Sequence, residues 1–245
     1  MNRILVPADR IEGGVARVTG EALHHLSRVL RLGVGDAVEV FDGGGTAWEG
    51  EVTSLAAEEA TIRLGERRTQ QRLPRITLAQ GLAKGDKLDL VVQKATELGV
   101  SRIAPLRLER CVVHLDAAKG ADRARRWRKI AEEAARQSGR ADVPEVDEPA
   151  SLDAFLDAAV ARGERLAVLW EEQDPGVRMG PWLQASAGEP IALVVGPEGG
   201  LTAAEVEAIR ARGGAVLSLG TRILRTETVG LAVLSIALHL AGELG

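Results

Sequence analysis

From Arg75 onward, short apolar runs alternate with stretches of helical period, and that alternation restricts this part of the chain to an α/β domain with a mainly parallel sheet. Arg75–Leu82, Arg102–Leu106, Leu166–Trp170, Ile191–Val195 and Ala215–Leu219 read as strands. Lys87–Leu98 reads as a helix because Leu88, Val91, Val92, Ala95 and Leu98 fall on one face, with Gly99 as its C-terminal cap. Asp122–Gln137 and Glu227 to Leu240 are the other long helices. The preceding seventy residues have a different character. Strand-like Ala37–Phe41 and Trp48–Thr53 are separated by the turn signals Gly33–Asp36, Asp42–Gly45 and Ala56–Glu59, which indicates a small β-barrel or meander. One short helix, Glu21–Leu30, interrupts it, with Leu23, Leu26, Val29 and Leu30 on one side. Polar Glu66–Arg72, running up to Pro74, reads as the linker, so the expected domains are 1–72 and 73–245.

Several function classes are excluded early. Aromatics make up 2% of the chain, four Trp and two Phe with no Tyr, too few for a single-strand binder built on stacked rings. A single cysteine, Cys111, rules out a disulfide framework and a Cys-rich zinc site, and four scattered His make a metal enzyme a poor fit. Cys111 itself reads as a small apolar residue. The opening residues MNRILVPADR have no apolar signal core, and the apolar stretch Val229–Leu240 is too short to span a bilayer, so a soluble cytoplasmic protein is expected. The net charge of −4 is unevenly spread: residues 102–140 carry +6 and residues 141–245 carry −9. A basic block in an acidic protein reads either as a phosphate-facing stripe or as a solvated helix face. On a helix, Arg125, Arg128 and Lys129 share one side and Trp127, Ile130 and Ala134 another, so Trp127 belongs to the core.

Two loops could carry chemistry. In the first, the apolar strand Ile191–Val195 runs into Gly196-Pro197-Glu198-Gly199-Gly200, at the strand end where open α/β sheets place ligands. Thr202 with Glu205 then forms a capping box, and Leu201 with Val206 a hydrophobic staple, so a helix starts there. The loop matches neither the Walker nor the dinucleotide fingerprint, and a tight turn without a ligand is its other reading. In the second, Ser218–Thr228, a strand end leads through Arg222 and Arg225 into an almost wholly apolar helix, which must be buried in a core or an interface. Two arginines beside a pocket could hold phosphate or carboxylate.

The runs GPEGGLT (Gly196–Thr202), SLGTRILRTET (Ser218–Thr228), KGDKLDLVVQKATELGV (Lys84–Val100) and ARQSGRADVPEV (Ala135–Val146) closely resemble motifs of the bacterial small-subunit ribosomal RNA uracil-N3 methyltransferases, a family of the trefoil-knotted SPOUT superfamily. His24–Leu32 with Gly35-Asp36 is similar to that family's PUA-like RNA-binding domain, so the resemblance runs nearly end to end. The departures are Leu201, where an aromatic is expected, and Val229-Gly230, where small alanine-like residues are expected; they touch packing rather than chemistry.

The resemblance implies an N-terminal PUA-like β-barrel and a C-terminal knotted α/β domain. It implies S-adenosylmethionine as cofactor, held by Leu169, Gly196, Pro197, Glu198, Gly199, Gly200, Leu219, Gly220, Ile223, Leu224, Arg225 and Thr228, with Leu169–Glu171 as a third wall. Small-subunit ribosomal RNA, free or in the assembled subunit, is the implied partner, with His25, Arg28, Arg31, Lys84, Arg110 and Arg140 as its contacts. Arg225 would stabilise a uracil carbonyl or the adjacent phosphate, and Glu198 and Glu227 are alternative proton acceptors, either of which could instead be a cap or a brace. A homodimer through the last helix is implied, with the site completed across the two-fold; neither a metal nor a membrane is. The alternatives are a knotted methyltransferase of transfer RNA ribose and a non-catalytic RNA-binding protein with a vestigial pocket.

Overall fold

The structure, a computed structural model, describes residues 1–69, 75–171 and 178–244. The chain divides into two compact units, Met1–Arg72 with Glu132–Val143, and Leu73–Ala131 with Pro144–Gly245.

The first unit contains β1 (Arg3–Leu5), a 3-10 turn (Ala8–Arg10), β2 (Ile11–Glu12), β3 (Val15–Thr19), α1 (Gly20–His24) with a following π turn (His25–Val29), β4 (Ala37–Phe41), β5 (Thr46–Leu55) and β6 (Glu59–Thr69). Among the described residues the strands form one sheet in the order β1-β4-β5-β6-β3-β2. Only β1 and β4 run parallel. The sheet ends at β1 and β2, so the expected barrel is an open half-barrel. Its concave side is filled by Ile4, Val18, Leu26, Val38, Val52 and Ile62, all buried.

Two expectations need correction here. Val29 does not share the side of Leu23 and Leu26: the π turn adds a residue to the helical turn and rotates Val29 outward to solvent, while Leu23 and Leu26 are buried. Glu66–Thr69 is not linker but the end of β6, paired with β5 through Thr46↔Thr69 and Ala47↔Arg68. Residues 70–72 of that expected linker, and the boundary drawn after 72, lie outside the described residues.

The second unit contains β7 (Ile76–Gly81), α2 (Lys87–Glu97), β8 (Arg102–Arg107), α3 (Ala117–Ser138) as far as Ala131, its remainder being counted with the first unit, β9 (Glu145–Val146), β10 (Ala150–Ser151), α4 (Leu152–Ala161), β11 (Arg165–Leu169), α5 (Met179–Ala185), β12 (Ile191–Val195), α6 (Ala203–Ala211), β13 (Ala215–Leu217) and α7 (Thr226–Leu240). Every described pairing in its sheet is parallel, in the order β10-β8-β7-β12-β11-β13, with β9 also on β8. Parallel strands covered on both faces are largely apolar, and β7 and β12 are buried at every residue, with Thr77 and Gln80 the polar members of β7.

Register decides where a ligand can go. Gln80 pairs Val195, Val195 pairs Leu169 and Leu169 pairs Leu217, so four strands reach one edge together and their outgoing loops leave from the same side. The capping box is formed: Thr202 accepts from the Glu205 N–H and Glu205 accepts from the Thr202 N–H. Helix α3 starts at Ala117, five residues before Asp122, because the Asp116 carboxylate accepts the Lys119 N–H at 2.8 Å and caps the additional turn. That bond, first among its causes, holds the Asp116 carboxyl below its ordinary value. Trp127 is buried and donates its indole N–H to Asp89 at 2.9 Å, as a core residue does. No helix among the described residues is long and apolar enough to cross a membrane.

Candidate active site

The loops leaving β11, β12 and β13 enclose a cavity of about 410 Å³, bounded also by Lys87 of α2 and the first turn of α7. Ligands of open α/β sheets sit outside the carboxyl ends of the strands, which is where this cavity lies. From the first loop it is lined by Gly196, Pro197, Glu198 and Gly200, and from the second by Leu219, Gly220, Ile223, Leu224 and Arg225. Leu169, Trp170 and Glu171 form the third wall. Two residues assigned to the cofactor stand apart: Gly199 and Thr228 are not among the lining residues, and Thr228 is exposed.

Backbone geometry explains the first loop. Gly200 has φ +72°, and a Cβ there would lie 2.4 Å from Glu171 Oε1, so a side chain would be both strained and in contact with the third wall. Gly81, the last residue of β7, has the same requirement for another reason: its Cβ would fall 2.7 Å from the Pro197 backbone nitrogen. The loop is also pinned from beneath. Thr226 Oγ1 donates to the Gly196 carbonyl at 2.6 Å and accepts from Gln80 Nε2 at 2.8 Å, tying β7, the first loop and the start of α7 together in a buried bond set. Ser218 Oγ accepts the Gly220 N–H at 3.0 Å, which ends β13 at Leu217 and turns Leu219 into the cavity wall, two residues before the expected strand end.

The two carboxylates have different surroundings. Glu198 Oε1 accepts from Lys87 Nζ at 2.9 Å and from the Lys84 N–H at 3.0 Å. Burial pushes the Glu198 carboxyl upward, but the bonds from Lys87 and from backbone N–H groups outweigh it, and the net shift is downward. The same bond to Glu198, first among its causes, raises Lys87 above its ordinary value. Glu227 Oε2, by contrast, is buried without a hydrogen-bond donor among the described residues; its nearest cation is Lys87 Nζ at 3.7 Å. Trp170 presents a buried indole N–H that likewise has no acceptor among the described residues. Arg225 is open to solvent, its side chain 83% exposed, and its guanidinium lies 4.0 Å from Glu227 Oε1.

The residues expected to contact RNA are dispersed. Lys84 and Arg110 flank the first loop, Arg110 donating to the Gly199 carbonyl at 3.1 Å. Arg28 and Arg31 are exposed, and Arg31 has φ 55°, the one positive value at a described residue other than glycine. Arg140 differs from its expected role. It is 4% exposed and bonded to Asp142 through Nε and Nη2, so its charge is spent inside the first unit instead of being offered to a ligand. Much of the basic block is neutralised in the same way: Arg125 pairs Asp122, Arg126 pairs Asp89, and Arg136 pairs Glu133. Cys111 is buried, and burial raises its thiol. Among the described residues no group of three or more His, Cys, Asp or Glu side chains could hold a metal ion.

Gln80 was not singled out from the sequence and carries no local signal. Trp170 fell within the expected third wall, and Lys87 and Thr226 within recognised motifs, but none of the three was given a role of its own.

A strand-edge cavity with glycines in its wall and an anionic and cationic rim defines a ligand-binding α/β protein. Comparisons with known proteins make that specific. Residues 69–238 match the family model described as an RNA methyltransferase domain, and residues 18–65 the model of an RNA methyltransferase PUA domain. The chain belongs to this RNA methyltransferase family. It is 37% identical over 224 residues to the Bacillus subtilis ribosomal RNA small subunit methyltransferase E, covering 89% of this chain and 87% of that protein. To the Synechocystis protein of the same name it is 35% identical, covering 95% of this chain and 76% of the other. The Neisseria gonorrhoeae ribosomal RNA small subunit methyltransferase E, solved bound to S-adenosylmethionine, superposes with a TM-score of 0.84 at 31% identity, over 98% of each chain.

Proposed function

We propose that this chain is a cytoplasmic enzyme that transfers the methyl group of S-adenosylmethionine to N3 of a uridine in small-subunit ribosomal RNA. The observation that carries the reading is the division of labour between the two carboxylates at the cavity, set beside the family and the relatives named above. The cavity suits the cofactor. Its apolar and backbone lining fits an adenosyl group, and the unpartnered Trp170 indole N–H is a donor waiting for an acceptor. Leu169, Gly196, Pro197, Glu198, Gly200, Leu219, Gly220, Ile223 and Leu224 are the residues that would hold it. When bound, S-adenosylmethionine supplies a methyl group already activated on a sulfonium, so alignment is the enzyme's main task.

Uracil N3 carries a proton at neutral pH and lies on the pairing edge, so the target base must be unpaired and splayed into the site. Glu227 is the acceptor of that proton: its Oε2 is buried, free of donors among the described residues, and close enough to Lys87 for its charge to be compensated. Glu198 is a brace, already engaged by Lys87 and the Lys84 N–H and held anionic. Loss of the N3 proton to Glu227 leaves negative charge on the uracil carbonyls, and Arg225 at the open rim stabilises that charge or holds the adjoining phosphate. Arg28, Arg31, Lys84 and Arg110 supply phosphate contacts.

A homodimer completes the reading. On α7, Ile236 and Leu240 are each 39% exposed and Val229 and Leu231 half-buried, an apolar strip beside the buried face formed by Val233, Leu234, Ala237 and Leu238. The test of the chemistry is methyl transfer from radiolabelled cofactor to small-subunit RNA by wild type, Glu227→Gln and Glu198→Gln. Glu227→Gln should lower kcat by about 10²–10⁴, the range of general base catalysis, with Glu198→Gln the milder lesion. Equal loss in both would remove the distinction, and no transfer by wild type would remove the function.

A further inference from the structure

The first unit holds a second cavity, of about 470 Å³, that the catalytic reading does not use. It opens between the end of β1, the 3-10 turn, the end of β3, the start of α1 and residues 132–136, all within that unit. Its floor is apolar, with Ile4, Val6 and Val18 each 1% exposed. Its walls carry three permanent cations, Arg10, Arg17 and Arg136, against the carboxylates of Glu21 and Glu132, which already have interactions within the fold.

The arginines are poised differently. Arg17 is exposed and has no partner among the described residues. Arg10 is steadied by the neutral Thr19 hydroxyl, which leaves its charge uncompensated. Arg136 is paired by Glu133 through Nη2, yet its Nε–H is buried without an acceptor among the described residues. A guanidinium pair over an apolar floor suits a phosphate diester and the sugar beside it. No Phe, Tyr or Trp ring lines the cavity, so it lacks the stacking platform of a base-binding groove. His25 stands on the same wall, half-buried. Burial first, and then the charge of Arg136, lower its pKa, so the ring is neutral near pH 7 and offers one donor and one acceptor. Those are the two functions of a ribose 2′-hydroxyl, the group by which a protein tells RNA from DNA.

We propose that this cavity is a ribose–phosphate subsite for single-stranded RNA, with Arg17 and Arg10 on the phosphate and His25 on the 2′-hydroxyl. It rests on the RNA methyltransferase reading above and assigns part of the substrate contact to residues 10, 17 and 25.

The test uses the full chain and a short fluorescein-labelled single-stranded oligoribonucleotide, beside the deoxy oligonucleotide of the same sequence. Arg17→Ala should weaken binding of both about threefold to tenfold and reduce the slope of log affinity against log salt by about one, as loss of a single phosphate contact does. His25→Ala should weaken RNA binding and leave DNA binding unchanged, and His25→Gln, which keeps a donor and an acceptor, should recover part of the difference. Thermal midpoints at the wild-type value exclude misfolding as the cause. Wild-type affinity for RNA in Arg17→Ala overturns the subsite, and an equal loss for RNA and DNA in His25→Ala overturns the ribose assignment. Methyl transfer at saturating RNA separates the two readings: retained in Arg17→Ala it leaves the enzyme assignment standing, whereas its absence in wild type counts against that assignment and not against the binding result.

Discussion

Replacing Thr226 by Val removes one hydroxyl and little volume, and the structure predicts an effect larger than the change suggests. Thr226 Oγ1 donates to the Gly196 carbonyl at 2.6 Å and accepts from Gln80 Nε2 at 2.8 Å, and both Thr226 and Gln80 are buried. In Thr226→Val the Gly196 carbonyl keeps only the longer contact from Gln80 Nε2 at 3.4 Å, and Gln80, whose Oε1 is already without a partner among the described residues, loses its good acceptor. A buried polar group left unsatisfied costs about 1–3 kcal/mol, so the two groups together amount to about 2–6 kcal/mol, toward the lower end because the Gly196 carbonyl keeps one contact. The same bonds hold the first loop against the start of α7, so cofactor affinity should fall at least about tenfold, equivalent to about 1.4 kcal/mol. Urea unfolding followed by circular dichroism measures the first quantity from the shift in midpoint at unchanged slope, and calorimetric titration with S-adenosylmethionine measures the second. Thr226→Ser keeps both bonds and should stay within about 1 kcal/mol of wild type. If Thr226→Val unfolds within about 0.5 kcal/mol of wild type, as ordinary surface substitutions do, the clasp has no energetic weight and the reasoning fails.

Gly200→Val should weaken cofactor binding more than tenfold in the same titration while RNA affinity holds, because the new side chain meets Glu171 at a backbone φ of +72°. Arg225→Ala should lower kcat with cofactor affinity nearly intact, since a side chain 83% exposed at the rim is open to a macromolecular substrate; equal collapse of cofactor binding would move Arg225 to the other ligand. The Lys87–Glu198 pair sets a pH window. Glu198 is depressed in the folded state, so its contribution is present above the ordinary carboxylate range and lost as pH falls through the folded value; Lys87 is raised, so its contribution is present below the ordinary lysine value and lost as pH rises through the folded one. The difference in stability between wild type and Glu198→Gln should therefore be constant across neutral pH and shrink at the acid end. Sedimentation equilibrium at micromolar concentration should give twice the chain mass of 26.0 kDa, and a species of 26.0 kDa would refute the dimer.

The elements that could be read from sequence are those whose cause is local. Ile191–Val195 is an unbroken apolar run closed by Gly196 and matches β12 at both ends. The capping box of α6 lies within four consecutive residues. Features made by distant partners left no such trace. The Gln80–Thr226 bond joins positions 146 apart, and Lys87 meets Glu198 across 111, so the sequence shows neither pairing, even where the strand before Lys84–Lys87 puts that run at a ligand-bearing edge. Arg140 misled for the same reason: a run of basic residues records charge, whereas its burial depends on the way residues 132–143 pack into the first unit. The motif resemblance carried the cavity walls because it supplied long-range information that periodicity lacks. It could not distinguish Glu198 from Glu227, whose difference lies in which donors reach each carboxylate.

The most direct test is the identity of the product. Purified protein, S-adenosylmethionine labelled in its methyl group, and small-subunit ribosomal RNA, both free and in assembled subunits, are incubated together, and the RNA is digested to nucleosides for mass analysis. The expected result is label confined to 3-methyluridine at a single site, formed about 10²–10⁴-fold more slowly with Glu227→Gln. Label on a ribose oxygen, label on another base, or no transfer to either form of the RNA would contradict the account.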